Sequence, residues 1–165
     1  MGAIETREAV TQFLAREAML LDNGEYDQWL EMLDQDVQYL VPIRLGAYAR
    51  KDEFPEGAYR QLDDHLTLSR RVARSKSEIG YAEAPNSRTV RSVSSICVVE
   101  ETAETVEISS ALTLYRSRAN DMHGDTIHAR RNDSLRKTPD GLRLLARTII
   151  LADVSLGTPN LGFFM

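Results

Sequence analysis

An α+β fold is what this sequence predicts, and two observations carry it. Residues 1–84 place apolar side chains at helical three- and four-residue steps, whereas after Pro85 β-branched residues and alternation run to the end. Helices first and a long, mostly antiparallel sheet second is the α+β order. At 165 residues the expectation is one domain, 1–165, helix-rich over 1–84 and sheet-rich over 85–165.

From Glu5 to Leu21, the residues Val10, Phe13, Leu14, Ala18 and Leu21 share one stripe of an amphipathic helix, which Asn23-Gly24 stops. A second helix is predicted over YDQWLEMLDQD, with Trp29, Leu30 and Leu33 facing inward. VQYLVPI then turns extended, and Pro42 ends its regular ladder. Residues 46–57 read as a loop, and Ala58 to Arg74 as a third helix with Leu62, Leu66 and Val72 on its apolar side. In the second half VEISSALTLYR is the clearest strand, with Val106, Ile108, Ser110, Leu112 and Leu114 on one face. RANDMHGD connects it to the returning strand TIHARRNDSLRK; TPDG turns again, and LRLLARTIILADV is the last strand.

The net charge of -5 argues against a nucleic-acid partner, which needs a concentrated basic surface. The charge is uneven: 14 acids against 6 bases in residues 1–64, and 11 against 14 thereafter. No run of about 18 apolar residues is present to span a bilayer, so the expected location is the cytoplasm. Cys97, the one cysteine, lies in the apolar run SICVV and is expected to be buried and inert.

HGDTIHARRND uses the vocabulary of a metal site. On a strand, however, His123 and His128 differ by five positions, so they face opposite ways and stand roughly 16 Å apart. Two ligands of one ion must each approach it within about 2.2 Å, so this pair does not chelate. Arg131 and Asp133 share a face and are expected to form an ion pair. General acid–base chemistry in an apolar pocket is a second reading, for which Asp22, Tyr39, Asp64, His65 and His128 are the available groups. None stands at a spacing that singles it out. The ending NLGFFM carries adjacent phenylalanines, which either fold back onto the sheet or dock on another subunit.

Taken in order, REAMLLDNGEYDQWLEML, DVQYLVPIR, YAEAPNSRTVRSVSS, LTLYRSR, ARRNDSLR and LRLLARTIILADVSLGTPNLGFFM resemble the β (small) subunit of aromatic-ring-hydroxylating dioxygenases over nearly the whole chain. The sequence departs from that pattern at Arg91, where family members usually carry histidine, at Ser95, where asparagine is usual, and at Tyr81, where tryptophan is common. The resemblance implies a cystatin-like cone, similar to nuclear transport factor 2 and scytalone dehydratase, with helices packed in a curved sheet. It also implies a partner: an α (large) subunit, three of each, holding a Rieske 2Fe–2S cluster and a mononuclear iron, with the β subunits associating as a trimer. A Rieske centre needs two cysteines and two histidines, so with one cysteine this chain cannot house it, and no cofactor or metal is expected in it.

Two functions follow as expectations. The first is a non-catalytic assembly subunit, with Pro42, Arg44, Arg88, Arg131, Asp133, Arg147, Phe163 and Phe164 as interface candidates; each arginine competes with a role as a local cap or ion pair. The second is a free-standing cone-fold protein that binds, isomerises or dehydrates a small apolar molecule. A closed pocket on which Asp22, Tyr39 or His65 converge would favour the second.

Overall fold

The computed structural model describes residues 2–76, 87–118, 122–155 and 162–165. The change of style at Pro85, the departure at Tyr81 and the tip of the RANDMHGD connection lie outside the described residues. The first apolar stripe forms α1 (Ala3–Asn23), and Gly24 closes it in the left-handed conformation at φ 73°. The Glu5 carboxylate accepts from the Gly2 N–H at 2.8 Å at the other end.

α2 (Tyr26–Glu31) is shorter than the predicted helix over residues 26–36. From Leu33 the chain is already β1 (Leu33–Pro42), because Val37, Tyr39 and Val41 alternate inward and find a ladder beside the last strand. The predicted helix 58–74 likewise divides. Tyr59–Asp64 is β2, paired antiparallel with β1, and only His65–Ser75 is helical, as α3. Asp64 marks the true start by accepting the Thr67 N–H at 2.8 Å. Leu62 and Leu66 are consequently exposed, and the inward residues of α3 are Leu68 and Val72.

β3 (Arg88–Glu101), β4 (Thr105–Ser117), β5 (Asp125–Thr138) and β6 (Gly141–Leu151) complete a sheet in the order β2-β1-β6-β5-β4-β3. All neighbours are antiparallel except β1 and β6, which run parallel. The sheet is curved and open, with α1 lying across β3 and α3 against β1 and β2. Its last strand ends at Leu151, short of the predicted Val154. Cys97 is exposed rather than buried, since β3 bulges between Ser94 and Cys97, where Ser95 takes a φ of 50°, and the slip turns the thiol outward.

The helices cover one face only. There Trp29, Leu14, Leu21 and Leu68 meet Leu112, Leu114, Leu135 and Ile149 in a continuous core. Polar residues, Ser110, Arg116, Arg131, Asp133 and Arg147 among them, also point from the strands into this apolar layer and are buried. A buried charge is costly unless paired, so their partners define the interior.

Candidate functional site

Arg147 on β6 sits at the centre and has no exposed surface. Its Nε and Nη2 donate to the two oxygens of Asp133 at 2.9 and 2.8 Å, a bidentate pair across β5 and β6, which face each other in register. Nη1 and Nη2 also donate to Glu17 at 2.7 and 2.9 Å. Glu17 belongs to α1, at a position between Leu14 and Leu21 on the apolar stripe, so the helix itself delivers the carboxylate to the sheet. Trp29 Nε1 donates to the same carboxylate at 3.2 Å and Arg131 Nη1 at 3.4 Å. Arg131 Nη2 is buried with no hydrogen-bond partner among the described residues. The expected Arg131–Asp133 pair is therefore replaced by two pairs with other elements: Asp133 with Arg147, and Arg131 with Glu17.

Burial pushes the Glu17 carboxyl up, but attraction to Arg147 and Arg131 and the hydrogen bonds from Arg147 and Trp29 outweigh it and hold it below its ordinary value. For Arg147, burial opposes the charge, and Asp133 and Glu17 more than restore it. Burial and the repulsion of Arg147 lower Arg131.

The closing segment completes the interior. Phe163, Phe164 and Met165 are all buried, so of the two fates open to this ending the chain adopts the intramolecular one, and its rings offer a partner little surface. Three successive carbonyls each meet a donor from a different element. Arg71 of α3 donates to Phe163 O at 3.4 Å, Arg91 of β3 to Phe164 O at 2.6 Å, and Arg147 to Met165 O at 3.0 Å. The Tyr39 hydroxyl lies 2.6 Å from both the nitrogen and the oxygen of Met165, accepting from one and donating to the other. Burial raises Tyr39, keeping the hydroxyl protonated for that donation. The Phe164 ring packs against Trp29 at 4.4 Å between centroids and edge-on to Tyr26 at 5.7 Å, with the Arg71 guanidinium 4.7 Å from its centroid.

The five pocket candidates do not converge. Asp22 is held by Arg91 and accepts from Thr89 Oγ1 at 2.9 Å; Asp64 caps α3; His65 lies in the first turn of that helix. Tyr39 is committed to Met165, and His128 is on the opposite, exposed face beside Thr113. Among the described residues no closed pocket joins them. Two grooves among the described residues open to solvent, about 450 Å³ between α1, α2 and the β5–β6 turn and about 370 Å³ between α1 and β3; of the five candidates, Asp22 borders the second and the others border neither. His123 is exposed ahead of β5, and no group of three or more His, Cys, Asp or Glu side chains able to hold a metal occurs among the described residues.

Of the remaining interface candidates, Pro42 ends β1 at a register shift opposite Tyr59. Arg44 grips Glu53 at 2.7 Å and the Leu151 carbonyl at 2.6 Å, which ties the loop after β1 to the end of β6. Arg88 opens edge strand β3 and is exposed, with Nη2 3.3 Å from Ser117 Oγ. Sequence reasoning missed Glu17, Asp63 with Arg71, and the joint hold of Arg91 on Asp22 and the closing segment. A signal for Glu17 was present, a lone carboxylate inside an apolar helical stripe.

Residues 16–156 match the family model described as ring hydroxylating beta subunit. The β subunit of N,N-dimethyl phenylurea N-demethylase from Sphingobium sp. (strain YBL2) is 39% identical over 155 residues, covering 93% of this chain and 88% of the relative. The β subunit of chlorobenzene dioxygenase from Cupriavidus sp. (strain PS12) is 32% identical over 169 residues, covering 98% and 90%. Among solved structures, naphthalene 1,2-dioxygenase with indole bound in the active site superposes with a TM-score of 0.86 at 23% identity, covering 100% of this chain and 88% of that one. A nuclear transport factor 2-like protein with a cystatin-like fold from Novosphingobium aromaticivorans superposes with a TM-score of 0.63 at 18% identity, covering 92% and 85%.

Proposed function

The chain belongs to the β-subunit family of the ring-hydroxylating oxygenases, and from that premise we propose that it is the assembly subunit of an α/β complex that oxidises an aromatic compound in the cytoplasm. The observation that carries the reading is the filled interior. The space between helices and sheet is taken by the chain's own Phe163, Phe164 and Met165, and Arg71, Arg91 and Arg147, which reach them, are each matched by an acid from another element. An interior of that kind stabilises a scaffold. The free-standing ligand-binding reading is not favoured, since its five candidate groups are dispersed over both faces of the sheet.

The Rieske cluster and the mononuclear iron do not fit this chain, whose single thiol is on the outer face. We assign both to the α subunit, with three α and three β subunits in the complex. The relatives bracket the chemistry, one named for N-demethylation of a phenylurea and one for dioxygenation of chlorobenzene.

Co-expression with a large subunit that carries CxH and CxxH motifs tests the proposal. The expected result is a co-purified complex with Rieske absorption and arene-dependent oxygen uptake that the large subunit loses when produced alone. A large subunit fully assembled and active without this chain would overturn it.

A further inference from the structure

The groove of about 370 Å³ between α1 and the edge strand β3 falls within the range of about 300–1,000 Å³ that small-molecule sites occupy. A bulge shapes one wall. β3 slips between Ser94 and Cys97, where Ser95 takes a φ of 50°, so Val93 and Ile96, three positions apart, are both half-buried along the groove while Ser94 and Ser95 are exposed. The other wall is one stripe of α1, with Leu14, Ala15, Ala18 and Met19. The two alanines leave space for a flat group, and Met19, 65% exposed, is an adaptable rim. Asp22, the last lining residue of α1, and Arg91, the first of β3, meet in an ion pair at the polar end. The Arg91 side chain is 2% exposed. Its Nη1 holds Asp22 and Thr89 Oγ1, and its Nη2 donates to Phe164 O at 2.6 Å. Its Nε is buried with no hydrogen-bond partner among the described residues, a costly state for a charged donor.

We infer that this groove is a binding site for a small, neutral molecule with a flat apolar body and a carbonyl oxygen, which accepts from Arg91 Nε. The inference goes beyond the β-subunit reading and stands without it. Charge selects the ligand class. Among the described residues that line the groove, Arg91 is the one cation and Asp22 already balances it, so a carboxylate would bring a second negative charge beside Asp22 with no cation left to meet it. A cationic ligand would find the Asp22 oxygens taken, by Arg91 N and Thr89 Oγ1 at 2.9 Å each and by the guanidinium, and would leave Nε as it is. A hydrocarbon would cover the apolar walls and seal the orphan donor off from water. A neutral acceptor satisfies the donor and the walls together. The guanidinium is fixed by Asp22, Thr89 and Phe164 O before any ligand arrives, so little ordering is left to oppose binding.

Nitrogen-resolved NMR of the full chain tests it, following the Nε–H signal of Arg91 and the amides of Val93 and Ile96 while acetanilide, benzoate or toluene is added. Acetanilide, neutral and carrying a carbonyl, should move all three signals saturably with a Kd of about 1 mM. Benzoate, which is charged, and toluene, which has no acceptor, should each bind about tenfold more weakly. Ala15→Leu keeps a good helix former at an exposed position and fills the groove, so it should abolish the acetanilide response with circular dichroism unchanged. The three probes on the wild-type chain decide the matter if that variant disturbs folding. Absence of a saturable acetanilide shift up to about 10 mM, benzoate or toluene binding as tightly, or an unaltered response in folded Ala15→Leu would each overturn the inference. An Arg91 Nε–H that exchanges magnetisation with water and ignores all three probes would also overturn it, giving the donor to an ordered water alone. Signals that move only when a large subunit is added would overturn it too and hand the groove to that partner.

Discussion

Arg130 and Arg131 are neighbours in sequence and identical in chemistry, yet the sheet makes opposite uses of them. Arg131 is 1% exposed, lies between Glu17 and Arg147 and leaves one nitrogen unsatisfied; Arg130 projects from the other face into solvent. The period of two along β5 is the whole difference. It sorts the strand into an inner set, Ile127, Ala129, Arg131, Asp133 and Leu135, and an outer set, His128, Arg130, Asn132 and Ser134. The inner face fixes the fold through charges that only one arrangement satisfies. The outer face contributes little to folding.

The sharpest way to break the inner arrangement is Arg147→Met. Removing the cation strands Asp133 and Glu17 in an apolar layer, and a broken buried pair costs about 3–5 kcal/mol. Urea unfolding should read a loss of that size. Arg131→Met removes a cation too, but one held only by bonds of 3.4 Å, and Glu17 keeps Arg147; its cost should be well under half as large. Equal costs would mean the four groups act as one unit.

The same network gives a pH test. Because the folded Glu17 carboxyl lies below its ordinary 4.5, its contribution is complete above the unfolded value and is lost as pH falls through the folded one. Stability should therefore drop on the acid side of about 4.5. In Arg147→Met the largest lowering influence is gone and burial, which raises the carboxyl, dominates. The acid loss should then begin at higher pH, as unfolding midpoints followed from about pH 7 to about pH 3 will register.

Much of the fold was legible because periodicity is a local property. α1, β4, β5 and the alternation of Arg131 and Asp133 followed from spacing alone, and the order of motifs identified the family. What was missed depends on contacts between segments far apart in sequence. Tyr59–Asp64 has a weak pattern and becomes a strand because the β1 edge accepts it, while the Cys97 thiol faces outward because a bulge slips the register by one residue. The partner of Asp133 could not be read from β5, since same-face neighbours compete with a strand that arrives later in the chain. Glu17 was readable in principle, because a carboxylate in an apolar stripe requires a buried cation.

An intermediate effect is expected where the closing segment meets the core. Tyr39→Phe removes the hydroxyl that both accepts from the Met165 nitrogen and donates to its oxygen, leaving the amide buried without that partner. Unsatisfied buried groups of this kind cost about 1–3 kcal/mol. Arg147 still holds Met165 O, so the segment should remain in place. Hydrogen exchange at Met165 should accelerate far more than exchange in β5, and uniform acceleration would show that the segment is an integral part of the cooperative core.

The smallest effect on folding belongs to the outer face, and it separates the two surfaces most cleanly. Arg130→Gln removes one exposed charge, with no pairing across to Ile150 or Ala111 that depends on it, and surface changes of this kind stay within about 0.5 kcal/mol. Urea unfolding of the isolated chain should therefore be unchanged. The residue one position along gives the reverse: Arg131→Met alters unfolding and leaves the outer surface untouched. If Arg130→Gln destabilised the monomer as much as Arg131→Met, the division of labour between the faces would fail, because the outer charges would then belong to the folding of the sheet itself.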